Sequence, residues 1–384
     1  MASLDDHLHS YYDTCVAVDP SALERMSRIY RTLTAEIRDF LQQELEFSIG
    51  KLIGRGSSHE GLKIRKPDEF DVLIPIEIDD AYWCVEDFHE DNCFVTIASR
   101  YAWEQAGVLP AASIRTKFQG AVQRFVNKYI RGYKLKPSTH GPAVTLDVYD
   151  GNRKLFSVDL VPLVRLEGNW LVAKPHPASV GKPFSPERNL WRRSFTHQEH
   201  DYIKLIPLES KKILMIVKAM VIDNYAQMGM LPSYVYKVAF MHWFDRKEPV
   251  QTSISANVIN FLSYLSDVLL RGTMKPFPDV NYHINILNNW NPTQLNNVAF
   301  FLRRIIARPE TKLVAATKIP RQRAVKMSGI RQECALYEWK NSQSENERML
   351  SCKGFLKLIF KVILGLFAVL MMLNVAAFVG KNEK

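Results

Sequence analysis

Gly56-Ser57, then Glu69-Phe70-Asp71, then a distant Asp159 is the arrangement in this chain best suited to chemistry. Side chains alternate faces along a strand, so Glu69 and Asp71 project to one side while Phe70 turns to the core. Two carboxylates held side by side repel each other unless a cation lies between them, and such hard oxygen donors suit Mg2+ or Mn2+. Asp159, within the run Phe156-Ser157-Val158-Asp159-Leu160-Val161-Pro162, is costly to bury alone and supplies a third acid. Three acids converging on two strands would make a two-metal site, able to activate an attacking hydroxyl and neutralise a leaving phosphate oxygen. The Gly-Ser turn would offer backbone N–H groups and a hydroxyl to a triphosphate. Each piece alone is common on solvated sheets and loops; the combined order carries the reading. Asp147 and Asp150 stay as rivals to Asp159, Asp150 mainly as a turn former. No G-x-x-x-x-G-K-[ST] or G-x-G-x-x-G motif occurs, which leaves phosphate handling to metals.

The elements that must position these residues follow from periodicity. Apolar residues at helical spacing predict a long amphipathic helix over 21–47, with Ser21 as N-cap and Glu24 completing a capping box. Residues 70–78 read as a strand, with Pro75 favouring an edge or bulge. Residues 143–149 and 155–164 read as a hairpin around Asp150-Gly151-Asn152. Beyond residue 185 the pattern turns helical, over 190–206, 211–228, 233–243, 258–270 and 292–306. The economical fold class is α+β: a mixed sheet lobe with a long N-terminal helix, packed on a C-terminal helical lobe across a cleft. The expected boundaries are 1–184 for the first lobe and 185–330 for the second.

The chain has 384 residues, 47% hydrophobic and 23% charged, which excludes a mainly disordered protein and suits two lobes. Five scattered cysteines without a C-x-x-C pair exclude a disulfide scaffold, and the polar first ten residues show no secretory signal. A reducing, cytosolic setting is expected. The net charge of +10 is unevenly spread. Residues 111–137 hold Arg115, Lys117, Arg124, Lys128, Arg131, Lys134 and Lys136 with no acid, and 300–332 are also basic. Such stretches suit a polyanion read through phosphates and shape, though a solvated helix face gives the same pattern. No zinc-finger or zipper spacing points to base readout. After a polar linker over 331–354, residues 355–379 include an uncharged apolar run that predicts a transmembrane tail anchor with the catalytic body in the cytoplasm.

The segment GSSHEGLKIRKPDEFDVLIPIE resembles the signature of the cyclic GMP-AMP synthase-like receptors, of the mab-twenty-one nucleotidyltransferase superfamily. SVDLVPLV, NLWRRSFTHQEHDYI, KKILMIVKAM and LPSYVYKVAFMHWF are similar to further family blocks in the same order, so the resemblance covers most of residues 20–325. It implies a nucleotidyltransferase-type fold that joins two nucleoside triphosphates, ATP and GTP, into a cyclic dinucleotide in innate immune signalling. Carried over, Gly56 and Ser57 hold the triphosphate and Glu69, Asp71 and Asp159 bind two Mg2+ or Mn2+ ions. Arg192 contacts a base, Lys218 a phosphate, and Ser233-Tyr234 a phosphate and a stacked base. The stretch between Arg192 and Lys218 holds His197 and His200 but no cysteine, so the zinc-binding thumb of the vertebrate DNA sensor cannot be built and no zinc is expected. Thumbless receptors imply double-stranded RNA as activator. Arg115, Lys117, Arg124, Lys128 and Arg131, with Arg25, Arg28, Arg31 and Arg38 of the long helix, are the candidates for that surface. Two rivals remain: a membrane-anchored adaptor that binds nucleotide without turnover, and a nucleotidyltransferase extending an RNA end.

Overall fold

The computed structural model describes residues 3–319, apart from 89–92, 102–106, 141–142, 175, 180–181, 183, 247–251 and 279–283. In chain order the elements are α1 (Leu4–Tyr11), α2 (Pro20–Glu44), β1 (Ile53–Arg55), α3 (Ser57–Glu60), β2 (Glu69–Ile76), β3 (Trp83–Asp87) and β4 (Phe94–Ser99). Then come α4 (Ala111–Lys128), β5 (Lys134–His140), β6 (Ala143–Asp150), β7 (Arg153–Leu166), β8 (Asn169–Val172) and β9 (Trp191–Arg193). The remainder is helical: α5 (Thr196–Leu205), α6 (Leu208–Asp223), α7 (Tyr225–Met228), α8 (Ser233–Asp245), α9 (Ile254–Arg271), α10 (Pro292–Ile306) and α11 (Pro309–Ala316).

The sheet runs β1-β2-β7-β8-β9-β4-β3, with β6 on β7 and β5 on β6. Its central pair, β2 and β7, is parallel, with successive side chains on opposite faces and both faces covered toward the ends of the two strands. Phe70, Val72, Ile74, Val158, Leu160 and Val164 fall on one face, in a core shared with Tyr30, Leu33, Ile37 and Leu41 of α2 and Phe118, Val122 and Phe125 of α4. The opposite face carries the acids and a small cluster of Leu73, Leu163 and Val172. Pro75 is tolerated because β1 pairs only with 71–73 of β2, so the proline lies past that ladder. The hairpin turns at Gly151, whose φ of +59° is left-handed.

Several local expectations needed revision. Helix α2 is capped two residues earlier than read: Asp19, not Ser21, is the N-cap, accepting from the Ser21 N–H, with Pro20 in the first helical position where its missing N–H costs nothing. Residues 190–206 do not form one helix. Trp191, fully buried, sits in the three-residue β9 between β4 and β8, and helix starts only at Thr196. The polar N-terminus forms α1, closed by a Ser3/Asp6 capping box. Its Leu4, Leu8 and Tyr11 enter the second core, built from α6, α8, α9 and α10. Tyr11 Oη donates to Asp223 at 2.6 Å, and Ser253 Oγ donates to Asp5 at 2.9 Å.

The membrane expectation is corrected. No helix among the described residues is long and apolar enough to cross a membrane, and those residues form a mixed α/β sheet with helical parts. Helix α2, the longest, is charged on its outer face, and α9 carries Asp267 and Arg271. The 355–379 run that prompted the expectation was read on hydropathy alone and lies outside the described residues, as does the 331–354 linker.

Candidate active site

Parallel pairing of β2 and β7 sets Asp71 directly opposite Asp159, and Glu69 opposite Ser157. On the flanks, Arg55 of β1 is the register partner of Asp71 and Thr145 of β6 that of Asp159. One row across four strands therefore reads Arg55, Asp71, Asp159, Thr145. Glu69, Asp71 and Asp159 each bring a carboxylate oxygen to within 4.8 Å of the others, the one such group among the described residues. Burial, then repulsion from Glu69 and Asp159, raises the Asp71 pKa to about 7. Thr145 Oγ1 donates to Asp159 Oδ1 at 2.6 Å and fixes that carboxylate. Lys63 lies 3.0 Å from Asp68 and 3.5 Å from Glu69.

The rival acids are employed elsewhere. Asp147 accepts from Ser157 Oγ at 2.9 Å and pairs with Lys154 at 2.7 Å, while Asp150 closes the hairpin opposite Arg153.

Gly56 ends β1 and caps α3 with φ +75° and ψ −177°, a region essentially reserved for glycine. A Cβ there would lie 1.7 Å from Asp71 Oδ2. The turn thus presses its backbone against the acid, and only a residue without a side chain permits this. Ser57 opens α3, and the neighbouring Ser58 donates to the Glu69 carbonyl at 2.8 Å, tying turn to strand. Three clustered hard-oxygen donors, one held protonation-prone by burial and then by its like-charged neighbours, fit a divalent cation: a positive charge there relieves the repulsion.

The more distant residues make the following contacts. Lys218 of α6 donates to the Leu62 carbonyl at 2.8 Å, just beyond α3, and burial lowers its pKa to about 8. Arg192 of β9 acts electrostatically on both Lys174 and Tyr234. Lys174, which the sequence did not single out, has its pKa lowered to about 8 by burial and then by Arg192. Ser233 opens α8, and Tyr234 beside it donates to Glu199 at 2.8 Å. Only Ile206 and Pro207 separate α5 from α6, which leaves no insertion there.

The expected polyanion surface carries much less free charge than its sequence implied. Lys117 pairs with Glu46 at 2.8 Å, Arg124 and Lys128 with Glu44 at 2.7 and 3.1 Å, and Arg131 with Glu36. Arg115 is partly buried, and burial followed by Arg188 lowers its pKa. On α2, Arg28 pairs with Glu24 and Arg38 with Asp39, while Arg31 donates to the Ser27 carbonyl.

Residues 58–204 match the family model of the Mab-21 protein nucleotidyltransferase domain, a span holding Glu69, Asp71, Asp159 and Arg192. The chain is 28% identical over 331 residues to cyclic GMP-AMP synthase-like receptor 3 of Stylophora pistillata, covering 79% of this chain and 95% of that protein. It is 23% identical over 339 residues to mitochondrial dynamics protein MID51 of Danio rerio, covering 81% and 71%. It is 24% identical over 216 residues to cyclic GMP-AMP synthase of Mus musculus, covering 46% and 40%.

Proposed function

We infer, for a chain that belongs to the Mab-21 nucleotidyltransferase superfamily, a synthase joining two nucleoside triphosphates, ATP and GTP, into a cyclic dinucleotide for innate immune signalling. The observation that carries this reading is the convergence of Glu69, Asp71 and Asp159 beside the Gly56 turn. Two Mg2+ or Mn2+ ions held by these carboxylates would supply charge neutralisation on the phosphates and acidity at the acceptor hydroxyl. Asp159, held by Thr145, takes the role nearest to a general base. The acceptor ribose oxygen forms a bond to the α-phosphorus, the α–β bridging bond breaks, and pyrophosphate leaves with the electron pair. The linear product turns in the site and the same step closes the ring. Gly56 and Ser57 hold the triphosphate, Lys218 a phosphate, Arg192 a base, and Ser233 with Tyr234 a phosphate and a stacked base.

Double-stranded RNA is the proposed activator, met by Arg115, Lys117, Arg124, Lys128 and Arg131 through phosphates and groove shape. Because four of these are already paired, RNA must exchange its phosphates for Glu36, Glu44 and Glu46. The test incubates the protein with all four radiolabelled nucleoside triphosphates and Mg2+ or Mn2+, with and without double-stranded RNA or DNA, followed by phosphatase. A phosphatase-resistant product formed only with RNA is the expected result. Nucleotide binding without any product would favour the adaptor reading, to which likeness to a mitochondrial dynamics protein lends support. Lengthened RNA ends would favour the third reading.

A further inference from the structure

Three charged side chains outside the acid cluster, Lys237, Glu60 and Glu199, have no part in the reading above. Lys237, one turn into α8, sets its Nζ 3.1 Å from Glu60 Oε1 and 2.9 Å from Glu199 Oε2. Glu60 is 3% exposed and Glu199 is fully buried. The other Glu199 oxygen, Oε1, accepts from the Tyr234 hydroxyl at 2.8 Å, and the ammonium lies 5.8 Å from the centroid of the Tyr234 ring. Burial pulls the Lys237 pKa down, but Glu199 and then Glu60 outweigh it and raise it above the ordinary value. A trio of buried charges is no efficient route to stability, since apolar residues of similar volume would do as well. What such a trio specifies is one arrangement, because removing Lys237 leaves two buried carboxylates, Glu60 and Glu199, without their shared cation.

On the reading above, this trio, with Tyr234 bonded to Glu199, lies between the two grips of the proposed nucleotide site. Glu60 closes α3, the single turn that starts at Ser57, and Tyr234 lies in the first turn of α8. We propose that Lys237 is a positioning residue that grips Glu60 and Glu199 together, so that the turn carrying Ser57 and the ring of Tyr234 keep one fixed spacing for a nucleoside triphosphate. The proposal rests on the nucleotide-site reading above. It makes phosphate grip and base grip interdependent although neither Glu60 nor Tyr234 need touch the other.

The test is a double-mutant cycle on the full chain with Glu60→Gln and Tyr234→Phe, reading the dissociation constant of α,β-methylene-ATP with Mg2+. Both substitutions keep shape and remove only a charge or a hydroxyl, and melting curves verify folding. If Lys237 couples the two ends, each single variant weakens binding, and the double variant loses less than the product of the single losses by about threefold or more. Lys237→Arg retains tighter binding than Lys237→Met. Losses that simply multiply, or a folded Lys237→Met that binds as wild type, overturn the proposal. Product formation by the wild type is measured separately. No product with the coupling intact removes the synthase reading and leaves Lys237 in its role. Product with multiplying losses removes the Lys237 role alone, and a folded wild type that binds no nucleotide overturns both.

Discussion

Gly56→Ala is the sharpest perturbation of the proposed site. The new Cβ would sit 1.7 Å from Asp71 Oδ2, 2.6 Å from Cγ and 3.1 Å from its Cβ, all inside the usual contact distance. Either the turn retreats by about 1.5 Å to regain normal contact, or the carboxylate rotates out of the acid cluster. The backbone angles add their own cost of about 1–3 kcal/mol, because this conformation is essentially confined to glycine. Displacing reacting groups by about 1 Å can cost a hundredfold in rate, so turnover should fall at least about 100-fold while the fold survives. Gly151→Ala is the control: its φ is also positive, at +59°, but nothing lies within 4 Å of the added Cβ. That variant should lose about 1 kcal/mol of stability and keep its turnover. The assay is initial-rate product formation at saturating nucleotide beside thermal melting of both variants. Wild-type turnover in Gly56→Ala, or equal losses in the two variants, would refute the argument that the turn is seated against Asp71.

In metal-free protein, the raised pKa of Asp71 means the folded state binds its proton more tightly than the unfolded chain, so this contribution to stability is full below about pH 4 and is lost as pH rises through about 7; melting curves should show that decline for wild type and a flatter profile for Asp71→Asn. Removing Glu44 as Glu44→Gln releases Arg124 and Lys128 with little effect on stability, since both basic partners are exposed to solvent. Its affinity for double-stranded RNA should rise and its salt dependence steepen, read by titration at several salt concentrations; unchanged binding would remove this helix from the RNA surface. Lys218, with its pKa lowered to about 8, loses its charge as pH rises past that value. Triphosphate affinity should therefore weaken above about pH 8 in wild type and hold in Lys218→Arg, measured with a non-hydrolysable analogue.

How far the sequence reached depended on whether a signal was local. Alternation along 69–76 and 153–166 was enough to put Asp71 and Asp159 on one face, because a period of two leaves no other option once Phe70 and Val158 are buried. The residues alone left Asp147 a rival that the resemblance set aside in favour of Asp159; that Lys154 and Ser157 occupy Asp147 is something no spacing announces. Trp191 looked helical because three strand residues give too short a pattern, and its partners lie in β4 and β8. The basic stretch misled for a similar reason. Glu36, Glu44 and Glu46 sit far back in the chain, and only the packing of α2 on α4 brings them alongside. Lys237 carried no sequence signal, since a lysine within the apolar run of α8 reads as an exposed interruption until Glu60 and Glu199 are placed around it.

The position of α1 bears on how the chain is made. Leu4, Leu8 and Tyr11 emerge from the ribosome early, yet they are buried against helices translated much later. The Tyr11–Asp223 bond spans 212 residues and the Asp5–Ser253 bond spans 248. At synthesis rates of about 5–20 residues per second, this apolar face waits roughly ten seconds or more for its partners. During that interval Leu4, Leu8 and Tyr11 stay exposed on a segment too short to hold a helix alone, while the sheet and its core can already close. Completion of the helical core is then the step that buries these side chains and folds the segment into α1.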